Sequence, residues 1–216
     1  MRYCFTYVLI FCLFSCITEP NISENWNLER VSGHSALWEH RFQNAIESIH
    51  IEEKQLNNSN HPNVVRWREM IKHLKGVAPL EQLEKVNYLV NKHVMYVSDY
   101  KHYNKADAWG FPLETLIEGG DCEDFAFIKM ISLLHLGWKE KDLTIVVGYF
   151  RKGQTMGYHA ILEVKTENGG YELLDNTRPD ISTPKGEHFF TPLYGIQKNN
   201  FFAYKEKKYP FTNNRY

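Results

Sequence analysis

Cys122 is the residue whose type and surroundings most clearly indicate chemistry. It follows Asp121 in the sequence Gly-Gly-Asp-Cys-Glu-Asp, which spans residues 119–124. Asp121 is a natural N-cap and Asp124 falls three residues later, as in a capping box, so a helix is predicted to begin at the cysteine. The free N–H groups and the dipole of a helix N-terminus favour a thiolate, and they can stabilise the oxyanion that forms when sulfur attacks a carbonyl. The sequence therefore predicts a cysteine nucleophile for acyl transfer.

The cysteine count supports this chemical role. Cys4, Cys12 and Cys16 all lie within residues 1–16, a predicted export signal. The exported domain then keeps only Cys122, which has no partner for an internal disulfide, and a lone thiol is a liability in an oxidising compartment. The alternative is that Cys122 is a small buried apolar residue. Its neighbours favour the nucleophile.

A thiolate needs a base, and His159 is the predicted one. It lies in the apolar sequence Tyr-His-Ala-Ile-Leu-Glu-Val, a predicted strand that can hold an imidazole against a helix N-terminus. His135 lies on the cysteine helix but more than about three turns further along, too far to touch the sulfur. Asp175 ends the next predicted strand after a Gly-Gly turn, and a hairpin would bring it beside His159 as the acceptor that orients the ring. The alternatives are a core histidine and a turn-forming aspartate, and Asn176 is a weaker candidate for the orienting role.

Three carboxylates, those of Asp121, Glu123 and Asp124, crowd Cys122 in the sequence. Negative neighbours raise the pKa of a thiol and so oppose the helix dipole. A hard divalent cation would neutralise them, and oxygen ligands suit calcium, with carbonyls or water completing its usual shell of about six to eight oxygens. Zinc is not predicted, because no Cys/His cluster has the spacing of a structural site. The alternative is that the aspartates only cap the helix and Glu123 faces solvent.

Three segments in this order resemble the bacterial transglutaminase-like cysteine proteinases. They are Gly-Asp-Cys-Glu-Asp-Phe-Ala from residue 120, Tyr-His-Ala-Ile-Leu from residue 158 and Leu-Leu-Asp-Asn from residue 173. The resemblance is detailed from about residue 109 to residue 180. It implies a papain-like core with Cys122 as nucleophile, His159 as base and Asp175 as the residue that orients the base. It also implies calcium dependence, with the three acidic residues around Cys122 as matching ligands.

The resemblance further implies a substrate and a regulator. It implies hydrolysis of a peptide bond near the N-terminus of a large secreted adhesin. It also implies that an inner-membrane receptor for cyclic di-GMP sequesters the protease and so controls biofilm release.

Trp109 is a candidate for the substrate or oxyanion site. In transglutaminase-like folds, an aromatic or amide residue before the nucleophile helix often lines the acyl site. Trp109 would wall the cleft or donate its indole N–H to the oxyanion. The alternative is a tryptophan of the hydrophobic core.

The order of predicted elements indicates an α+β domain, with a helical N-terminal part followed by an antiparallel sheet. Apolar residues recur with helical spacing at residues 35–50, after Pro62, from near Pro79, and behind Cys122 as far as Gly137. From residue 143 the pattern changes to short segments rich in Val, Ile, Leu and Tyr. They are predicted to be strands at residues 143–150, 159–165 and 171–175, with a last strand in the aromatic tail that includes Tyr204.

Residues 1–16 have the pattern of a secretory signal, because an apolar run follows Arg2 and is too short to span a bilayer comfortably. Leu-Phe-Ser-Cys at residues 13–16 also resembles a lipobox, in which case Cys16 is the lipidated first residue of a lipoprotein. We predict a periplasmic protein with either a cleaved signal or a lipid anchor at Cys16. The remaining boundaries are a linker at residues 17–34 and a catalytic domain at 35–216, divided into a helical part, 35–97, and the catalytic helix plus sheet, 98–216.

Composition excludes some functions. The chain has 216 residues, a formal net charge of -1 and 43% hydrophobic residues, which suits one domain with a proper core. A charge this close to zero provides no electrostatic surface for nucleic acid.

Two other functions use the same residues. A transglutaminase or amidase acting on glutamine or on peptidoglycan peptides would have the same fold and a different acceptor. A non-catalytic calcium-binding interaction domain would have lost the chemistry, and the intact Cys122, His159 and Asp175 argue against it.

Overall fold

The structure is a computed structural model that describes residues 22–206, except 24, 25, 27, 34–39, 41, 42, 45, 46, 48–50, 53, 107, 153, 187, 188 and 199. The predicted signal peptide and most of the predicted helix at 35–50 lie outside the described residues. The helices numbered α1 to α5 are Pro62–Leu74, Pro79–His93, Asp99–Tyr103, Pro112–Glu118 and Cys122–His135. Residues 54–58 are also helical. Among the described helices, none has both the length and the apolar composition of a membrane span.

Proline and glycine set the ends of several helices. Pro62, Pro79 and Pro112 begin α1, α2 and α4, where proline loses no intrahelical hydrogen bond. Gly76, with φ 78°, and Gly137, with φ 96°, follow α1 and α5 in a left-handed conformation that glycine adopts without strain. The helices predicted after Pro62, from Pro79 and up to Gly137 are therefore confirmed.

The strands form one antiparallel sheet in the order β1-β2-β7-β6-β3-β4-β5. In chain order, the strands β1 to β7 are Ile22–Ser23, Leu28–Ser32, Leu143–Lys152, Thr155–Lys165, Tyr171–Leu174, Phe190–Gln197 and Asn200–Glu206. Side chains alternate between two buried faces. Ile145 and Leu162 belong to the core that includes α5, whereas Ile161 packs with Phe190 and Phe202 on the other face.

Helix α5 packs against β4 and α2, and its residues from Glu123 to Leu133 are buried. A helix that is apolar on all sides is typical of a protein interior. This burial holds the N-terminus of α5, and therefore Cys122, in a fixed position relative to β4 and α2.

Two parts of the sheet differ from the sequence predictions. Residues 28–32 fall within the predicted linker at 17–34, yet they form β2 and pair with β7. This pairing was not predicted, because the partner strand lies far along the chain. Strand β6 was not predicted, since Pro192 and Gly195 interrupt its apolar pattern. The structure accommodates Pro192 opposite Gly148, where the register between β3 and β6 shifts. Tyr204 lies in β7, so the strand predicted there is confirmed.

A buried ion pair joins distant strands. Arg30 of β2 binds the carboxylate of Glu163 in β4, which also accepts the indole N–H of Trp26. Strands β2 and β4 are separated by β7, β6 and β3, so the sheet curves strongly enough to bring them together. The Arg30 guanidinium also lies over the ring of Phe202, with its central carbon 4.5 Å from the centroid.

Removing Arg30, the cationic partner of Glu163, is expected to destabilise the fold. Arg30→Met should lower the free energy of unfolding by about 3–5 kcal/mol at pH 8, because it leaves a buried carboxylate without its cation. Burial already raises the pKa of Glu163, and Arg30 opposes that effect. A carboxyl group whose pKa is raised in the folded state favours folding less as the pH rises. The loss of unfolding free energy in Arg30→Met should therefore be smaller at pH 5 than at pH 8. Urea unfolding at both pH values measures this.

Lys205→Ala, at an exposed position of β7, is the control and should change the free energy of unfolding by less than about 0.5 kcal/mol. An equal, small effect of both substitutions would contradict a structural role for the Arg30–Glu163 pair.

Candidate active site

Cys122 is the first residue of α5, and Asp121 is its N-cap. The Asp124 carboxylate accepts two backbone N–H groups, from Asp121 at 3.1 Å and from Gly110 at 2.7 Å. Gly120 passes so close to Asp124 that an added Cβ would overlap the carboxylate. The predicted capping box is confirmed, and it holds a half-buried, free thiol at a helix N-terminus.

Cys122 and His159 line the same cavity, whose volume is about 400 Å³. The helix contributes the thiol and β4 contributes the imidazole. The end of α2, the residues that follow it and the residues that follow β5 complete the cavity. Its remaining lining residues are Asn91, Val94, Tyr96, Phe125, Tyr158, Asn176 and Thr177.

His159 is hydrogen-bonded to Asp175, with 2.9 Å between Nε2 and Oδ1, and both side chains are buried. Burial alone raises the pKa of Asp175, but hydrogen bonds from His159 and the Thr177 N–H leave that pKa below its ordinary value. Asn91 fixes the backbone here by donating to the carbonyl oxygen of Asp175 at 2.8 Å. The carboxylate is thus ionised at neutral pH and orients the ring, so Nδ1 of His159 is the nitrogen that can exchange a proton with a reacting group.

The thiol of Cys122 donates to Oε2 of Glu123 at 3.2 Å. Burial raises the pKa of Cys122 well above its ordinary value, and the charges of Glu123 and Asp121 raise it further. Burial, together with Asp121, also raises the pKa of Glu123 to about 10. These surroundings disfavour the thiolate, and positive charge beside the acidic groups would favour it.

Comparisons with known proteins agree with this arrangement. The family model described as bacterial transglutaminase-like cysteine proteinase BTLCP matches residues 60–189. The chain belongs to this family. No curated protein matches it. The predicted family, the transglutaminase-like fold and the cysteine protease class are confirmed.

Solved structures of Legionella pneumophila LapG are similar to this proteinase. The calcium-bound structure is 25% identical with a TM-score of 0.60, over 72% of this chain and 87% of that chain. A second LapG structure is 26% identical with a TM-score of 0.59, over 72% and 87%. The EGTA-treated structure is 26% identical with a TM-score of 0.59, over 72% and 84%.

The described acidic residues around Cys122 form two groups that share Asp121. The ligand atoms of Asp121, Cys122 and Glu123 lie within 4.8 Å of one another, and so do those of Asp99, Asp121 and Asp124. Sequence reasoning named Asp121, Glu123 and Asp124 but missed Asp99. Asp99 begins α3, and the chain from there to Asp121 gives no pattern that predicts their proximity.

The donor set suits calcium. Burial raises the pKa of Asp124 to about 7, and Asp121 and Asp99 add to that effect. Oδ1 of Asp121 is buried without a hydrogen-bond partner among the described residues. Carboxylates held this close repel one another, and a hard cation with oxygen ligands would relieve both the repulsion and the unsatisfied oxygen.

Trp109 is not brought to the cavity. Its ring packs against the core and lies 6.5 Å from that of Phe127, centroid to centroid. It is absent from the described residues that line the cavity with Cys122 and His159. Its place is that of a core tryptophan, and Tyr96, which sequence reasoning did not single out, lines the cavity instead.

Proposed function

We propose that this proteinase is an exported, calcium-dependent endopeptidase with Cys122, His159 and Asp175 as its catalytic triad. The observation that carries the proposal is that thiol and imidazole border one cavity while Asp175 holds the other nitrogen of the ring. The calcium-bound and EGTA-treated structures of LapG support the calcium part. The proposed substrate is the N-terminal region of a large surface adhesin, whose cleavage releases biofilm.

The triad accounts for peptide hydrolysis. Cys122 attacks the scissile carbonyl carbon, and the free N–H groups at the start of α5 stabilise the oxyanion. His159 takes the thiol proton and passes it to the leaving amine, so the C–N bond breaks and a thioester to Cys122 remains. His159 then removes a proton from water, which hydrolyses the thioester to a carboxylic acid and regenerates the thiol. Asp175 keeps the imidazole oriented in both steps.

The proposed calcium ligands are Asp121, Glu123 and Asp124, with Asp99 added because of its position. When bound, the ion would supply positive charge beside the carboxylates that raise the pKa of Cys122. Asp124 has a second task, since its contacts with Gly110 and Asp121 tie the start of the helix to the preceding loop.

Product analysis tests the proposal. The purified protein is incubated with a recombinant N-terminal adhesin fragment in H₂¹⁸O, in CaCl₂ or in EGTA, and the products are analysed by mass spectrometry. We expect a chain cut in calcium, ¹⁸O in the new C-terminal carboxylate and no cut in EGTA. Crosslinks or exchanged amines would instead support the transglutaminase or amidase. Undiminished cleavage in EGTA would refute the calcium dependence.

Calcium is expected to stabilise the protein. At about 100 times the dissociation constant, CaCl₂ should raise the melting temperature by about 5–10 °C relative to EGTA. Asp121→Asn removes one ligand charge but keeps a good N-cap, so most of this shift should be lost while the EGTA value changes little. Differential scanning fluorimetry measures both.

Glu118→Gln is the matched control for this calcium prediction. Glu118 belongs to a separate group with His102 and Glu114, at an exposed position. The calcium shift should survive this substitution. If Glu118→Gln abolished the calcium-induced rise in melting temperature and Asp121→Asn kept it, the ion would be assigned to the group of His102, Glu114 and Glu118.

The proposed location is the periplasm, and the proposed regulator is an inner-membrane receptor for cyclic di-GMP that sequesters the protease. The export signal lies outside the described residues, so its support is the apolar run after Arg2. Cell fractionation separates the alternatives, because a cleaved signal yields a periplasmic protein and a lipid anchor at Cys16 retains it in membranes. Retention of the protease on the receptor's periplasmic domain only when cyclic di-GMP is present would support the regulator.

A further inference from the structure

Asn91 of α2 is a polar residue that lines the active-site cavity and to which the proposed mechanism assigns no task. Its side-chain amide donates two hydrogen bonds, to the carbonyl oxygen of Asp175 at 2.8 Å and to that of Arg178 at 2.7 Å. Asn91 thus contacts the backbone of a triad member directly. Because the contact is with the main chain, the Asp175 carboxylate remains available to His159 and to the N–H of Thr177.

Asn87 lies one turn before Asn91 on the same face of α2, and it binds the same segment further along the chain. Its side chain is fully buried, and its amide donates to the carbonyl oxygens of Arg178 at 3.0 Å and Pro179 at 3.1 Å. The segment after β5, residues 175–179, therefore accepts four hydrogen bonds from two side chains of one helix. Backbone groups outside helices and strands need such partners, so these bonds fix the segment relative to α2.

The residues that follow α2 hold the other half of the triad. Gly120, two residues before Cys122, donates its N–H to the carbonyl oxygen of Met95 at 3.1 Å and accepts the N–H of Val97 at 2.9 Å. Gly119 passes so close that an added Cβ would overlap the carbonyl oxygen of Met95. These contacts involve backbone atoms alone, so they do not depend on the side chains of residues 95 and 97.

Residues 87–97 are thus one continuous segment, here called the bridge, that is hydrogen-bonded to both halves of the triad. Its helical part binds the residues that follow β5 and so sets the position of Asp175. Its extended part binds the residues before α5 and so sets the position of Cys122. Val90 and Val94 belong to the hydrophobic core, so the bridge is packed as well as hydrogen-bonded.

Strand pairing alone does not hold Asp175 in place. The ladder between β4 and β5 ends at the pair Leu162–Leu174, and Asp175 is the next residue after it. The packing of α5 on β4 fixes the strand of His159 relative to Cys122, but it does not extend to the segment after β5. The amide of Asn91 supplies a direct bond to the backbone of Asp175 at the point where the ladder has ended.

We propose that Asn91 is a positioning residue that fixes Asp175, and through it the ring of His159, relative to Cys122. The inference rests on the proposed triad, and it adds a residue that acts through Asp175 and does not touch the reacting atoms. Asn87 secures the far end of the same segment, where a displacement reaches Asp175 less directly. A misplacement of about 1 Å can slow a reaction by about 10²-fold, so two hydrogen bonds at this position are enough to control the rate.

Asn91→Leu tests the inference, because leucine has a similar shape and cannot donate a hydrogen bond. The first readout is the rate of Cys122 alkylation by iodoacetamide at neutral pH in excess CaCl₂, which requires no knowledge of the natural substrate. We expect a reaction about ten-fold slower, because a misplaced His159 takes up the thiol proton less readily. For cleavage of the adhesin fragment, kcat should fall by a similar factor while KM stays nearly the same.

Asn87→Leu is the matched comparison, since it makes the same change on the same helix and removes two hydrogen bonds from the same segment. If both asparagines only stabilised the fold, the two variants would lose activity in proportion to their loss of melting temperature. We expect Asn91→Leu to cause the larger fall in kcat, and Asn87→Leu, at the fully buried position, the larger fall in melting temperature. Lys92→Ala, at an exposed neighbouring position, is the control and should change neither.

A double-mutant cycle with Asp175→Ala tests whether Asn91 acts through Asp175. Once residue 175 carries no carboxylate, its position no longer affects the orientation of His159. Adding Asn91→Leu in that background should therefore slow alkylation no further. An additional loss as large as in the wild-type background would show that Asn91 acts elsewhere, and it would overturn the inference.

Failure of this inference can be distinguished from failure of the proposed function. Wild-type alkylation and kcat in Asn91→Leu would overturn the role of Asn91 and leave the triad standing. If Asn91→Leu does not fold, Asn91→Ala removes the same two bonds with a smaller side chain, and failure of both to fold would make the residue structural and overturn its positioning role. A wild-type protein in which Cys122 resists iodoacetamide would overturn the proposed function itself.

Discussion

Cys122→Ala is expected to abolish cleavage of the adhesin fragment, with kcat lower by at least about 10³-fold. Sulfur forms the covalent bond to the acyl group in the proposed mechanism, and a methyl side chain offers no substitute. The melting temperature should change by less than about 2 °C, because only a half-buried thiol is lost. Cleavage kinetics and scanning fluorimetry on the same preparation measure both effects.

The control for Cys122→Ala is Met95→Ala, an exposed position next to the cavity residue Tyr96. It should retain cleavage activity close to that of the wild type. Cleavage by Cys122→Ala at an undiminished rate would remove the thiol from the mechanism. A wild-type Cys122 that does not react with iodoacetamide at neutral pH in calcium would favour the non-catalytic calcium-binding domain.

The start of α5 could be predicted because its determinants are local. Asp121 and Asp124 cap the helix within four consecutive residues, and the apolar sequence behind them continues to its end. The proximity of His159 and Asp175 could also be predicted, because a short turn joins β4 to β5 and antiparallel pairing matches Leu162 with Leu174. Local patterns thus predicted the thiol, the imidazole and its orienting carboxylate as neighbours.

Features that depend on distant pairing could not be predicted in this way. Asp99 approaches Asp121 and Asp124 only because the loop before α4 folds back on the start of α5, where Gly110 binds Asp124. Strand β2 finds its partner β7 at the opposite end of the described chain, and no local pattern in a short polar segment predicts that. The sequence left two alternatives open for Trp109 for a similar reason, since an apolar residue before the nucleophile helix fits either a cleft wall or the core.

The acidic surroundings of Cys122 oppose the formation of its thiolate. The thiol donates to Glu123, and burial plus negative charge raises the pKa of the thiol. The helix N-terminus favours the thiolate and so acts against these effects. Asp121 and Glu123, which raise the pKa of the thiol, are also proposed calcium ligands, so in this proposal ion binding and activation depend on the same residues.

His159→Ala is expected to lower kcat by about 10³-fold or more, with little change in KM. Its imidazole is the base and acid of both steps, and the residues that line the cavity elsewhere would still bind substrate. Groups that act as a unit show non-additive losses, so His159→Ala combined with Cys122→Ala should be no slower than Cys122→Ala alone. Steady-state kinetics of the single and double variants in excess calcium measure this.

Asp175, the third member of the proposed triad, should affect kcat less when only its charge is removed. Asp175→Asn keeps an oxygen that accepts the hydrogen bond from Nε2 of His159, as in the Cys-His-Asn sites of papain-like proteases, so we expect a smaller loss in kcat than when the acceptor is removed. Asp175→Ala removes that acceptor and should cost more, about 10²-fold or above. Equal activity of both variants and the wild type would show that Asp175 does not orient His159. A loss in Asp175→Ala that matches the loss in Asp175→Asn would assign the whole effect to the charge of Asp175.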